Sequence, residues 1–146
     1  MTSSGRPTEP RVCSVAAALD VIGEKWSLLV VRELFLGSRR FNDIAANTGA
    51  PRDILTARLR RLEELGVIER RLYSDKPARY IYVLTEAGKD LRPVMMALKH
   101  WGDTHVMGQV MPPVWEHTCG EVFVPQVACS ACGEAVEARA LSRADT

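Results

Sequence analysis

Residues 41–66 read FNDIAANTGAPRDILTARLRRLEELG, and the fold turns on this stretch. Phe41, Ile44 and Ala45 share one helical face, which predicts a short helix over 41–48 closed by Gly49. Pro51 opens a second helix, because a proline in the first turn lacks only an N–H that would be unpaired there anyway. Leu55, Leu59, Leu62 and Leu65 then recur at helical spacing until Gly66 stops the pattern. Two short helices joined by Thr48-Gly-Ala-Pro51 have the connector length, and the glycine, of a helix-turn-helix.

Upstream, Ser14 precedes Val15, Ala18, Leu19 and Ile22, a helical stripe that Gly23 ends, so Ser14 is the expected cap of a first helix. A second helix over about 24–36 carries Trp26, Leu29, Val30, Leu34 and Phe35 almost all round, as a central buried helix does. Downstream, Val67 to Leu72 and Arg79 to Leu84 are β-rich runs around a charged turn. Thr85 is a good cap for a long fifth helix with Leu91, Val94, Met95, Leu98 and Trp101 on one side, and Pro93 predicts a kink or local break in it. Beyond Met111-Pro-Pro the pattern weakens to short β-like runs, Glu121 to Val127 and Glu134 to Ala138, around three cysteines. The expectation is a mainly α (α+β) chain: a winged helix-turn-helix over 11–102 with a long C-terminal dimerisation helix, then a small Cys-containing, β-rich extension over 103–146.

Composition agrees with a globular protein. The 146 residues are 47% hydrophobic and 25% charged, with a net charge of +1. Apolar runs such as Leu28 to Val31 are far too short to cross a bilayer. Residues 1–10 have no apolar core of a signal peptide and read as a disordered leader, so the expected location is the cytoplasm, with no membrane partner. Charge is uneven: Arg39 to Arg79 holds ten Lys or Arg against six Asp or Glu. A basic middle in a near-neutral chain points to nucleic acid, although a solvated helix face can look the same.

A helix-turn-helix reads bases with the N-terminal part of its second helix in the major groove. If Leu55, Leu59 and Leu62 face the core, then Asp53, Thr56, Ala57, Arg60 and Glu64 face away. Arg60 is the best placed for a bidentate guanine contact, with Asp53 and Thr56 beside it and Arg52 at the flank. Arg39 and Arg40 before the third helix, and Lys76 and Arg79 at the hairpin, are placed for phosphates. Arg58 turns toward the core, where an acid such as Glu33 is its expected partner. The bland alternative is that these arginines only solubilise an amphipathic surface. A protein-interaction winged helix without DNA is a second class. An enzyme fits poorly: the three histidines, His100, His105 and His117, accompany no phosphate loop, nucleophile elbow or zinc-protease motif.

The four cysteines fall in two places. Cys13 stands at the start of the first helix, where the helix dipole favours a thiolate, or where a small apolar residue simply packs. The tail carries His117-Thr-Cys119-Gly and Cys129-Ser-Ala-Cys132-Gly. His117, Cys119, Cys129 and Cys132 are a candidate Cys₃His set for a structural zinc, the one cofactor the chain suggests. Redox pairing of Cys129 with Cys132 and plain hairpin packing are the other readings.

The blocks Cys13 to Leu34, Gly37 to Ile44, Leu55 to Ile68 and Tyr80 to Gly88 together resemble the HxlR-type winged helix-turn-helix transcriptional regulators, in the right order and spacing over about 13–101. The resemblance implies a homodimer that binds inverted repeats in double-stranded DNA near the gene it controls. It also implies, by analogy with members that carry such a cysteine, an oxidant- or electrophile-sensing role for Cys13. Many relatives have Ser-Pro-Lys in the turn where this chain has Ala50-Pro-Arg52-Asp53. Arg52 keeps the positive charge there, and Asp53 adds an acid. A small-molecule or electrophile signal would enter at Cys13, at a pocket between the fifth helix and the tail, or not at all.

Overall fold

The computed structural model describes residues 11–144; the expected leader over 1–10 lies outside the described residues. The chain divides into two compact units, 1–89 and 90–146.

In the first unit, α1 (Ser14–Ile22), α2 (Lys25–Phe35), α3 (Phe41–Thr48) and α4 (Arg52–Glu64) precede the antiparallel pair β1 (Ile68–Asp75) and β2 (Ala78–Leu84) and a one-turn α5 (Glu86–Lys89). The core is the expected one only in part: Val30, Leu34, Ile44, Leu55, Leu59 and Leu62 are buried, whereas Trp26, Leu29, Phe35, Phe41, Ala45 and Leu65, also expected inside, are half-buried. Val30 and Val31 of α2, Ile44 of α3, and Leu55 and Leu62 of α4 are fully enclosed, with Leu59, Val67 and Ile68 beside them. Apolar area removed from water here is the main driving term, at about 25 cal/mol per Å². α2 packs against α3 and α4, as its almost all-round apolar surface requires.

Details of the first unit differ from the sequence reading. Ser14 is the first residue of α1 rather than its cap; Cys13 holds the cap position in extended conformation. Of the α1 stripe only Ile22 is buried, while Val15 and Leu19 are 65% and 56% exposed. The wing strands run longer than their β-rich cores, since pairing extends through Asp75 opposite Ala78 and leaves only Lys76 and Pro77 in the turn.

The second unit holds α6 (Arg92–Gly102), which runs on as a π-helical turn (Asp103–Met107) until Gly108 stops it in the left-handed region at φ +67°. The single fifth helix expected from Thr85 to Trp101 is therefore two helices. Pro93 has no N–H for the carbonyl four residues earlier, so the helical ladder lapses at Asp90 and Leu91 and restarts with the proline in the first turn of α6. The β-like runs of the tail form only isolated bridges, Glu116 with Val122 and Ala128 with Ala135, among the described residues. Pro125 in the first run lacks an amide to donate, and each hairpin closes after very few residues. A 3₁₀ turn (Ala138–Ala140) follows.

Candidate nucleic-acid interface

The connector between α3 and α4 is built residue by residue. Gly49 takes φ +72°, a conformation that glycine adopts without steric cost, and its amide bonds the Ala45 carbonyl at 2.9 Å. The Thr48 hydroxyl donates to the Ile44 carbonyl at 2.7 Å and accepts the Ala50 amide at 3.2 Å. Ala50 is buried, and Pro51, expected as the first helical residue, instead holds the cap position one residue before α4, with no side-chain cap bond. With Leu55, Leu59 and Leu62 held in the core, Asp53, Thr56, Ala57, Arg60 and Glu64 all face solvent, as the helical arithmetic predicts.

The predicted contact residues divide by what already engages them. Arg52 donates to Asn42 Oδ1 at 3.0 Å, with its guanidinium carbon 4.8 Å from the centre of the Phe41 ring. That stacking fixes Arg52 at the α3–α4 elbow. Thr56 donates its hydroxyl to the Arg52 carbonyl at 2.8 Å and keeps its lone pairs outward. Arg40, at the cap position of α3, lies 5.4 Å from the Tyr73 ring of the wing. Among the described residues the side chains of Arg39, Arg60, Lys76 and Arg79 are exposed and make no ion pair or hydrogen bond. Cations left without protein partners on three neighbouring elements are chemically available to phosphate or base-edge oxygens.

The wing is tied to the base of α3. The Tyr82 amide donates to the Arg39 carbonyl at 2.8 Å, which ties β2 to the α2–α3 loop. At the far end of β2, Thr85 caps α5 as expected: its hydroxyl donates to the Gly66 carbonyl at 2.6 Å and accepts the Gly88 amide at 3.2 Å.

Sequence reasoning missed a polar cluster behind this surface. Arg58 pairs with Glu24 at 2.6 Å, not with Glu33. Glu33 is 3% exposed and accepts Asn47 Nδ2 at 2.9 Å, Ser38 Oγ at 3.2 Å and Arg32 Nε at 3.0 Å. One carboxylate thus joins α2, the α2–α3 loop and the end of α3. The signal in the sequence is an acid, Glu33, set among apolar positions of α2 and beside Arg32.

The other candidate residues lie elsewhere. Cys13 is exposed, and the amides of Ala16 and Val15 at the start of α1 hold its thiol below the ordinary range. On α6, Val94, Leu98 and Trp101 are 48%, 48% and 57% exposed, while Leu91 and Met95 are half-buried. The expected four-ligand zinc set is not assembled: among the described residues no three of His, Cys, Asp or Glu converge as metal ligands. Each pair closes on its own turn instead. The Cys119 amide donates to His117 Nδ1 at 3.3 Å, while the Cys132 and Ala131 amides, and after them the Cys132 side chain, hold the Cys129 thiol below its ordinary range. A pocket of about 300 Å³ lies wholly within the second unit, between α6 with its π turn and the tail, against Trp115 and Phe123.

Comparison with known proteins gives this geometry a context. An uncharacterized HTH-type transcriptional regulator of Mycobacterium tuberculosis (strain CDC 1551 / Oshkosh) is 47% identical over 128 residues, which span 86% of this chain and 81% of that protein. The crystal structure of PA1607, described as a candidate transcription factor, superposes with a TM-score of 0.75 at 31% identity over 92% of this chain and 95% of its own. The redox regulator HypR in its oxidized form is similar at 35% identity and a TM-score of 0.59, over 64% of this chain and 97% of its own. The family model for the HxlR-like helix-turn-helix matches residues 21–110, which takes in α2 to α6. With that match and those relatives, the chain belongs to the HxlR-like helix-turn-helix family of transcriptional regulators.

Proposed function

We propose that the chain acts as a homodimer on an inverted-repeat operator, each protomer placing α4 in a major groove and its wing along the flanking backbone. The observation that carries this reading is the set of unpaired cations around α4: Arg60 on its outer face, Arg39 before α3, and Lys76 and Arg79 on the wing. Arg60 supplies base readout, with Thr56 and Asp53 beside it; Arg39, Arg40, Lys76 and Arg79 bind phosphates. Arg52, stacked on Phe41, orients the start of α4 and adds positive potential there. Asp53 in the first turn favours the helix dipole and disfavours phosphate, which steers this residue toward base edges that donate, such as cytosine N4.

Dimerisation is supported by two apolar stripes that their own chain leaves open: Val15 and Leu19 on α1, and Val94, Leu98 and Trp101 on α6. Exposed stripes of this kind mark association surfaces. Cys13 is the position where an electrophile or oxidant acts, since its thiol faces solvent with two amides favouring the thiolate.

The deciding experiment is a titration against duplex DNA from around the protein's own gene at two salt concentrations, with random duplex as control. The expected result is selective, strongly salt-dependent binding. Arg60→Ala should lose about 1–3 kcal/mol of discrimination at one base pair. Lys76→Ala should weaken all duplexes alike and reduce the salt slope by about one. Equal, weak binding to both duplexes, unchanged when Arg39, Arg40 and Arg60 are reversed to Glu, would show a surface that serves a protein partner instead. Cys13→Ser should bind DNA normally and lose electrophile-induced release.

A further inference from the structure

The pocket of the second unit is built from residues that DNA binding does not use. One wall is helical. Met96, Lys99, His100 and Asp103 fall at i, i+3, i+4 and i+7, a single helical face, and all four line the pocket of about 300 Å³. At 100° per residue that face is opposite Val94, Leu98 and Trp101, so the pocket and the exposed apolar stripe are separate sides of one helix. At the pocket α6 gives way to the π turn over Asp103–Met107, a rare helical form that recurs at functional sites. The facing wall is the first tail hairpin. It is held by the Glu116–Val122 bridge, by the Phe123 amide on the Trp115 carbonyl at 2.7 Å and by the His117 amide on the Glu121 carbonyl at 2.9 Å. Asp103 Oδ1 accepts the Met111 amide at 3.3 Å, which ties the start of the tail to the helical wall.

Size and charge select the occupant. A pocket of this volume stands at the small end of ligand sites and takes roughly ten non-hydrogen atoms. Met96, Val114, Trp115 and Phe123 give it apolar and aromatic walls, which suit a flat ring. Its polar end is the ion pair of Lys99 Nζ with Asp103 Oδ2 at 2.6 Å. Among the described residues these two are the lining groups with a formal charge, and their charges cancel. A carboxylate brought here would compete with Asp103 for the ammonium, and a cation would meet Lys99 with its counter-charge already taken. Either ion would lose water without gaining a free partner. A neutral hydroxyl avoids that cost. Lys99 keeps N–H donors beyond the one given to Asp103, and the carboxylate keeps lone pairs beyond those given to Lys99 and Met111. We propose that this pocket is a binding site for a small uncharged aromatic alcohol. The ring lies between Trp115 and Phe123 and the helical wall, and the hydroxyl accepts from Lys99 and donates to Asp103.

The test titrates 4-propylphenol into the full chain by calorimetry at pH 8, where phenols stay protonated and imidazoles are ordinarily neutral. No DNA is present, so failure here leaves the operator reading standing, and the reverse. The expected result is one saturable site per chain, with a dissociation constant on the order of 0.1–1 mM for a ligand of this size. The anion 4-ethylbenzoate, of similar size, should bind at least about tenfold more weakly. In the amide spectrum of the parent, the phenol should shift resonances on both walls, Thr104 and Phe123 among them. Phe123→Ala should weaken the phenol at least about fivefold. Asp103→Asn keeps the shape and an acceptor for the Met111 amide but frees Lys99 of its counter-charge, so the preference should reverse toward the benzoate. Absence of a saturable site for the phenol in the parent would overturn the proposal. Shifts confined to Val94, Leu98 and Trp101 would do so too, by placing the phenol on the open stripe. Benzoate bound as tightly as the phenol by the parent, or an unreversed preference in Asp103→Asn, would overturn the assignment of an uncharged ligand.

Discussion

Glu33 shows how one inward-facing carboxylate can join three segments behind the proposed DNA-facing surface without touching it. Its oxygens collect Asn47, Ser38 and Arg32, and Asn47 also donates to Ser38 Oγ at 3.0 Å. Removing the acid leaves the amide and hydroxyl groups it joined without their acceptor in a half-enclosed site, at a cost of about 1–3 kcal/mol. Glu33→Ala is therefore expected to lower unfolding stability by that amount in urea melts. Because the lost tie runs to the end of α3, operator affinity should fall as well, although Glu33 is buried. A variant as stable as the parent would show that the cluster is ornamental. Asp103 makes a similar arrangement in the second unit, donated to by Lys99 at 2.6 Å and by the Met111 amide at 3.3 Å. The Lys99 hydrogen bond first, then the Met111 amide and the charges of Lys99 and His100, hold its carboxyl below the ordinary 3.8, against the opposing pull of burial. A depressed folded-state value means stabilisation that is fully present above pH 3.8 and lost as pH falls through the folded value. The protection factor of the Met111 amide, which divides out the pH-dependent intrinsic exchange rate, should therefore fall in acid in the parent and be low and pH-independent in Asp103→Ala.

At the scale of elements, the helices were legible because their signals are local. Ile44, Leu55, Leu59 and Leu62 repeat at helical spacing, Gly49 and Gly66 punctuate, and these residues are the core. The exposed face of α4, Asp53, Thr56 and Arg60, followed from the same arithmetic. What sequence spacing does not carry is pairing across space. Arg58 pairs with Glu24 at the cap position of α2, while Glu33 is taken up by Arg32, Ser38 and Asn47, a choice that spacing along the chain does not encode. Nor does it carry cooperativity. The tail has β-prone residues, yet two short turns with a proline between them cannot recruit a ladder. The joint after the wing is another spatial constraint. A Cβ on Gly88 would sit 2.1 Å from the Val67 carbonyl oxygen and 2.9 Å from a Leu84 methyl carbon, both too close. The carbonyl belongs to backbone that Thr85 also holds, so it has little room to retreat. Gly88→Ala should cost about 1–3 kcal/mol, typical of forced overpacking, and should appear as a lower thermal midpoint. An unchanged midpoint would mean that α5 swings free of the wing at small cost.

For the whole molecule, the proposed homodimer raises the question of how two DNA-reading surfaces would act on one duplex. No residue of α6 is buried, yet Val94, Leu98 and Trp101 occupy one apolar side of it. An apolar side that its own chain does not cover is where a twofold partner would pack, and twofold symmetry in the protein matches an inverted repeat in the operator. Leu98→Glu combined with Trp101→Glu would put like charges across such a seam, and should give a folded monomer in sedimentation. The first unit keeps its own core in that variant, because none of its enclosed residues lies on α6. Each protomer neutralises its own phosphates, so the monomer should bind a single half-site with about half the salt slope of the parent on the full operator. The pairing of these two readouts makes the outcome decisive. A dimer that survives the double substitution places the seam elsewhere, with Val15 and Leu19 of α1 the next apolar stripe to test. A monomer that keeps the full slope on the intact operator would instead mean that the second half-site contributes no phosphate contacts, and the inverted-repeat reading would fail.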